Sequence, residues 1–455
     1  MGLRDYIRLL EGRRELLKVT VPLSTRLEIS ALLRLGQQKT DKGIWVLKPY
    51  NFDASVVGNL FLKRDRVALA MGVENQGEGI KETYQKRINT PQGLEICEGE
   101  GPWELNFEKE VDLLSQVPAL VHHQGDAGPY MTCSVVVSKD PETKERGIGI
   151  HRVQLKSERR FGILLANPPL MDFFAKAEKM QKPLEVAIVN GVDPCILLAA
   201  VLPTKGDKML LAATLSGRPL RLQKCKYVDL EVPYDSEFVI EGVLQPGLRE
   251  KEGPFGENTG YYITFENPVG EVFALAKRER AIYHALLPFS READLLLNVA
   301  WELEKLKVLK ERFPSIQRVR FLHMRFLAIV QVKDPLPGET KEILDFVLSE
   351  RSVKIAMVVD EDVNLDDDYE LLWAIATRLD LKKGLLVREG LPGSWIDPFV
   401  AFGEVKSPKG LPLVTKLGID ATKPFGLREV LKKVDIGEKE KEKAKALLLD
   451  LLSNI

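Results

Sequence analysis

A chain of 455 residues exceeds what one ordinary hydrophobic core serves, so several domains are expected. Hydrophobic residues make up 45% and charged residues 29%, with a formal net charge of -1, which excludes both the basic footprint of a nucleic-acid binder and the composition of a disordered chain. The four cysteines, Cys97, Cys133, Cys195 and Cys225, are scattered without a CxxC pair, so neither a disulfide framework nor a thiolate zinc site is indicated.

The amino terminus, MGLRDYIRLLEGRRELLKV, is charged throughout and lacks the apolar stretch of a signal peptide. No run is long enough to span a bilayer, so a cytoplasmic protein without a membrane partner is expected. Asp5–Glu15 reads as a short amphipathic helix, and Leu17–Val21 as a strand ended by Pro22. Thr25 is placed to cap a helix over Arg26–Leu35, and Gly43–Leu47 reads as a buried strand. This alternation predicts an α/β domain over residues 1–117.

From about residue 129 the character changes to strands. They are read at Tyr130–Ser138, Gly147–Lys156, Leu184–Asn190, Leu197–Leu202, Leu220–Val232, Glu237–Leu244 and Val272–Arg278, with one helix at Met171–Met180. A β-barrel or sandwich with an inserted helix follows for residues 118–312, closed by a long helix over 290–311 before Pro314. The βαβα pattern returns with Arg318–Val332, Lys341–Leu348, Lys354–Asp360, Tyr369–Leu379 and Gly384–Arg388, predicting a third, mostly parallel α/β domain over 313–455. The charged tail Glu438–Lys445 leads into Leu447–Leu452, a cluster that a lone helix cannot bury and that is expected to pack on a neighbouring subunit.

No Walker loop, GxSxG elbow, HExxH or GxGxxG helix start is present. The pair His122-His123 would point to opposite faces of a strand and is not expected to share a metal. Two segments remain. In Glu252-Gly-Pro-Phe-Gly-Glu257, glycines and a proline let a loop turn sharply between two acids, and neighbouring acids shift one another's proton affinity, separating a proton donor from an ionised partner. In Arg146–Gln154, Arg152 and Gln154 share one face of a strand, and a projecting arginine can grip a carboxylate with two prongs.

Together with LEISALLR, LEVAIVNGVDPCILLAA, KCKYVDLEVPYDSEFVIEG, VVDEDVNLDD, LWAIATRLD and TKLGIDATK, these segments resemble the UbiD family of decarboxylases over nearly the whole chain. The resemblance implies a mixed α/β and β fold: an α/β amino-terminal domain, a central flavin-reductase-like split β-barrel and an α/β carboxy-terminal oligomerisation domain. It implies reversible, non-oxidative decarboxylation of an unsaturated or aromatic acid on prenylated FMN, with Arg152 and Glu252 as an ion pair under the cofactor and Glu257 as the acid that protonates carbon. The implied partners are a small carboxylic acid substrate, a flavin prenyltransferase supplying the cofactor, and further copies in a homo-oligomer (dimer or hexamer) or a hetero-oligomeric carboxylase.

The family also implies a divalent metal and potassium at the flavin phosphate, held by an asparagine, a histidine and a glutamate. Here Gly147 stands at the asparagine position, Gly162–Pro169 holds no histidine, and Lys208 stands at the glutamate position. No divalent metal is therefore expected. Lys208 and Lys416 are expected to neutralise the phosphate, Gly147 to leave backbone room beside it, and Gln154 to add a cofactor contact. The alternatives are a cofactor-free subunit scaffolding a larger carboxylase, or a binder of unmodified FMN or another phosphorylated ligand.

Overall fold

The computed structural model describes residues 1–73, 78–99, 101–103, 106–108, 110–204, 206–402 and 412–453. The chain opens with the helix Leu3–Gly12, whose Leu3, Tyr6, Ile7 and Leu10 recur at helical spacing and are buried. Strands Leu16–Val19, Gly43–Val46 and Ser55–Gly58 form a small sheet, and its fourth strand, Ile282–His284, arrives from far down the chain to pair in parallel with Ser55–Gly58.

The centre is a curled, eight-stranded antiparallel sheet. Its order is Tyr130–Met131, Val153–Leu155, Arg160–Ile163, Tyr262–Lys277, Phe238–Gly256, Leu184–Asn190, Ser134–Lys139 and Arg146–Ile150. Arg146–Ile150 is one edge, yet the chain enters Val153–Leu155, beside the opposite edge, only two residues later. The two ends of the sheet therefore meet at His151 and Arg152, which is how the split barrel places Arg152 at its seam.

The 22-residue helix Arg291–Arg312, capped by the Ser290 side chain, leads to a five-stranded sheet. There Ile355–Asp360 runs parallel to both Leu327–Val332 and Leu413–Asp420, while Ile316–Leu322 and Leu385–Pro392 add antiparallel edges. Among the described residues no helix is long and apolar enough to cross a membrane.

Several expected elements differ. Leu197–Leu202, read as a strand, belongs to the helix Pro194–Val201, started by Pro194 and by the Asp193 side chain accepting from the Cys195 amide. Its residues are buried on nearly every side, and a run buried all round carries no periodicity that separates helix from strand. Lys208 opens another unpredicted helix, Lys208–Ser216, capped by Asp207 and ended by Gly217 in the left-handed region. Thr25 caps nothing: its carbonyl accepts from Val121, and the helix begins at Glu28. Glu252–Gly256 is the end of a strand rather than a loop. The tail is helical over Glu438–Ser453, with Leu447 and Leu448 exposed; the side chains beyond 448 lie outside the described residues.

Glu292 ties the amino-terminal part to the long helix, because its fully buried carboxylate accepts from the amides of Asn59, Leu60 and Phe61. Leaving a buried donor unpaired costs roughly 1–3 kcal/mol. Glu292→Leu is accordingly expected to lower the chemical-denaturation midpoint clearly, whereas an unchanged midpoint would mean that these amides find other acceptors.

Candidate active site

At the seam of the barrel, Arg152 meets both acids. Its Nε donates to Glu252 Oε1 at 3.0 Å and its Nη2 to Glu252 Oε2 at 2.5 Å, while Nη1 donates to Glu257 Oε1. Asn267 Nδ2 adds a bond to Glu252 Oε2 at 2.9 Å. All three charged side chains are buried, and the guanidinium lies 4.7 Å from the ring centre of Phe255 and 5.6 Å from that of Phe265. Burial works against the arginine's charge, but the carboxylates of Glu257 and Glu252 outweigh it and raise its pKa.

The five-residue spacing would send the two acids to opposite faces of a regular strand. A bulge corrects this. Glu252 pairs with Phe265 and Phe255 with Ile263, so three steps on one strand oppose two on the other, and the extra residue restores a common face. Gly253 makes the bulge possible, with φ +107 and Ile263 O only 2.7 Å from where a Cβ would stand.

Asp126 straps this turn in place. Its Oδ1 accepts from the Gly256 amide at 2.9 Å, and its Oδ2 from the amides of His122 and His123 at 3.0 and 2.8 Å. Burial opposes its charge, yet the bonds from His123 and the amides hold its pKa below the ordinary carboxylate value. The Ala127 amide donates to Pro254 O at 2.8 Å, and the Gly125 amide to the Tyr262 hydroxyl at 3.0 Å. Sequence reading missed Asp126, Asn267 and Tyr130. The Gly125-Asp126 pair is a turn signal that could have drawn notice, but the partner amide of Gly256 lies 130 residues away.

Buried polar atoms without partners lie on the Phe255 side of Arg152, namely the Tyr130 hydroxyl, Gln154 Oε1 and His122 Nδ1, and His151 Nε2, beside Gly149, is unpartnered as well. Tyr130 and Gln154 face each other across paired strands, and the Tyr130 ring centre is 4.4 Å from that of Phe255. His151 uses only Nδ1, 3.0 Å from Leu164 O, and burial pushes its pKa down to about 4. Native interiors pair nearly all such atoms, so the cluster has the character of a polar ligand pocket.

The remaining expected cofactor contacts do not converge. Gly147 leaves no room: a Cβ there would lie 2.5 Å from the Phe173 ring and 2.7 Å from Pro169, because the helix Leu170–Lys179 docks on this strand. Lys208 is buried in its helix, donating from Nζ to Ala200 O at 3.0 Å. Lys416 is 1% exposed in the carboxy-terminal sheet, where Nζ donates to Leu348 O at 2.9 Å and Glu350 O at 2.7 Å. The two lysines occupy different cores and each is satisfied by carbonyls, which corrects the expectation that they meet at one phosphate. Among the described residues no three His, Cys, Asp or Glu side chains group to hold a metal.

Comparison with known proteins gives one consistent result. Family models described as the 3-octaprenyl-4-hydroxybenzoate carboxy-lyase N-terminal, Rift-related and C-terminal domains match residues 7–82, 96–290 and 295–421. The chain is 30% identical over 436 residues to anhydromevalonate phosphate decarboxylase of Methanothermobacter thermautotrophicus, covering 93% of this chain and 98% of that one. The UbiD-class enzyme HmfF from Pelotomaculum thermopropionicum in complex with FMN is 33% identical, with a TM-score of 0.89 over 97% of this chain and 98% of that one. An evolved dimeric form of HmfF in complex with prFMN is 32% identical, with a TM-score of 0.85 and the same coverage.

Burial pushes the Lys208 pKa from its ordinary 10.5 down to about 8. Between those values the unfolded chain holds a proton that the folded chain has lost, so stability rises as pH climbs through this window. Lys208→Met is expected to raise the melting temperature at pH 7 and to remove the Lys208 share of that rise, leaving the share of Lys416, whose pKa burial also lowers to about 8. An unaltered pH slope in the variant would contradict this.

Proposed function

Since the chain belongs to the UbiD family of carboxy-lyases, we propose that it decarboxylates, reversibly and without net oxidation, an unsaturated or aromatic acid on prenylated FMN. The observation that carries this reading is the single buried guanidinium shared by Glu252 and Glu257. The unpartnered atoms of Tyr130, Gln154 and His151 fit a polar heteroaromatic ring at the barrel seam, and they are the residues that would hold it. Such a cofactor, when bound, supplies the electron sink that decarboxylation needs.

The protein's own part is to position and to move one proton. Glu252 is fixed by two guanidinium bonds and by Asn267, which makes it the standing counter-ion of Arg152. Glu257 shares only one guanidinium nitrogen and sits just past the strand end, so it is the acid free to change partner. Loss of carbon dioxide leaves an electron pair on the substrate carbon, and protonated Glu257 delivers the proton there. In the carboxylating direction it removes that proton.

The family's divalent metal does not fit this chain. An asparagine at Gly147 would run into Phe173 and Pro169, and the glutamate position carries the Lys208 ammonium instead. For the substrate, one relative is named for a phosphorylated acid, and we extend that class, an acid carrying a phosphate, to this chain. For assembly, the exposed Phe399, Phe425, Val430 and Val434 support a homo-oligomer through the carboxy-terminal part.

Coexpression with a flavin prenyltransferase followed by native mass spectrometry is expected to show the prenylated cofactor, no manganese and a multiple of the single-chain mass. A colourless, flavin-free chain would favour the cofactor-free scaffold, and bound manganese would overturn the metal-free site. With the cofactor loaded, Glu257→Gln is expected to cut turnover by about 100-fold or more while retaining flavin, because an amide cannot deliver the proton. A fully active Gln variant would remove Glu257 from the chemistry.

A further inference from the structure

We infer that Arg34 and His123 form a subsite for a second, distal anionic group of the substrate, a phosphate monoester, at the mouth of the Arg152 site. This rests on the decarboxylase reading above and adds to it the residues that would select a phosphorylated acid.

Arg34 comes from the helix Glu28–Lys39 of the amino-terminal part and reaches the segment that precedes the long helix. Its Nη1 donates to Phe289 O, its Nη2 to Pro288 O at 3.2 Å, and the guanidinium lies 5.4 Å from the Phe289 ring centre. Nη2 also stands 3.5 Å from His123 Nε2. Among the described residues it has no carboxylate partner, so its charge is answered only by carbonyl dipoles and an imidazole. Nearby, the Arg291 guanidinium donates from Nη1 to Gln37 O at 3.3 Å, while its backbone amide donates to Gln37 Oε1 at 3.1 Å. A half-buried guanidinium without an acid is a site prepared for an external anion, since phosphate oxygens add opposite charge and two-pronged geometry that carbonyl dipoles do not supply.

Its position joins it to the chemistry. His123 packs against Gly256, whose Cβ would lie 2.4 Å from its Nδ1, and Asn258 Oδ1 accepts from the Phe289 amide at 2.8 Å. Glu257 thus stands between the two residues that border the Arg34–His123 pair. Asp126 accepts from the His123 backbone amide and lies 3.7 Å from its Nδ1, and it belongs to the same strap that holds Gly256. Tyr261, Tyr262 and Phe289, about half exposed, form an apolar rim beside the pair. An acid whose reacting carbon meets Glu257 and whose carbon chain runs along this rim would bring a terminal phosphate to Arg34.

The test is calorimetric binding to the full chain loaded with cofactor by coexpression, using anhydromevalonate phosphate and its dephosphorylated acid as probes. Wild type is expected to prefer the phosphorylated probe by at least about tenfold, the size of one charge-assisted bond. Arg34→Gln is expected to abolish most of that preference, Arg34→Lys to keep part of it, and His123→Gln to reduce it by a smaller factor. Inorganic phosphate should compete with the phosphorylated probe in wild type and lose that ability in Arg34→Gln. Equal losses on both probes, or an intact preference in Arg34→Gln, would overturn the subsite. The decarboxylase reading fails separately, if the loaded wild type releases carbon dioxide from neither probe nor from other unsaturated acids; an Arg34-dependent preference for phosphate would survive that result.

Discussion

The centre of the protein answers to one constraint: a guanidinium and two carboxylates must be kept out of water together. Each such charge is costly to bury unless it is paired and its remaining hydrogen-bonding capacity is filled. Arg152 pairs both acids, Asn267 fills a further lone pair of Glu252, and Phe255 and Phe265 offer ring faces to the cation. The bulge at Gly253 and the Asp126 strap exist in this light as the means of bringing Glu257 to the same guanidinium. Glu252 is held by two guanidinium nitrogens and Asn267, whereas Glu257 accepts from one guanidinium nitrogen and from its neighbour's amide at Asn258; that asymmetry separates a permanent counter-ion from an acid able to act.

Beyond the seam, volume and charge are both settled by packing on one edge strand. A glycine at 147 does not open space but accepts the Phe173 ring and Pro169, so the helix Leu170–Lys179 sits tight against an edge strand. Close packing of this kind leaves no slack for a larger side chain. The ammonium of Lys208 lies buried in the neighbouring helix pair, satisfied by a carbonyl and unpaired with any acid among the described residues. The helices Leu170–Lys179 and Lys208–Ser216 both pack on the same edge strand, Arg146–Ile150, so the setting of Gly147 and that of Lys208 share one piece of framework.

The amino-terminal part is built into the same framework. Strand Ile282–His284 returns from the barrel to complete the first sheet, and Glu292 binds the amides that follow Gly58. The helix that carries Arg34 is therefore anchored close to the turn that carries Glu257, and the mouth of the site is composed where two domains share a sheet. An arginine so placed is positioned by the rigid parts on both sides of it.

Much of this was legible in the residues alone. The strand Leu184–Asn190, the long helix after Ser290 and the strand Ile355–Asp360 are patterns of local periodicity, which depend only on near neighbours, whereas Arg318–Val332, read as one strand, is an antiparallel hairpin in a sheet of mixed rather than mostly parallel pairing. The motif segments around Arg152, Glu252 and Glu257 pointed to the family and to an acid–base site. The fully apolar helix Pro194–Val201 was misread because burial on all sides erases the period, and the buried settings of Lys208 and Lys416 were misread because a lysine's partners are chosen by packing, not by spacing. Asp126 met Gly256, Gly147 met Phe173, and Arg34 met Phe289 across long stretches of chain. The sequence by itself determined which segments could be helix or strand and which residue types could do acid–base chemistry. The bulge register, the meeting of the barrel edges at Arg152 and the filling of the space at Gly147 were decided only by tertiary structure, because each depends on which distant backbone a segment pairs with.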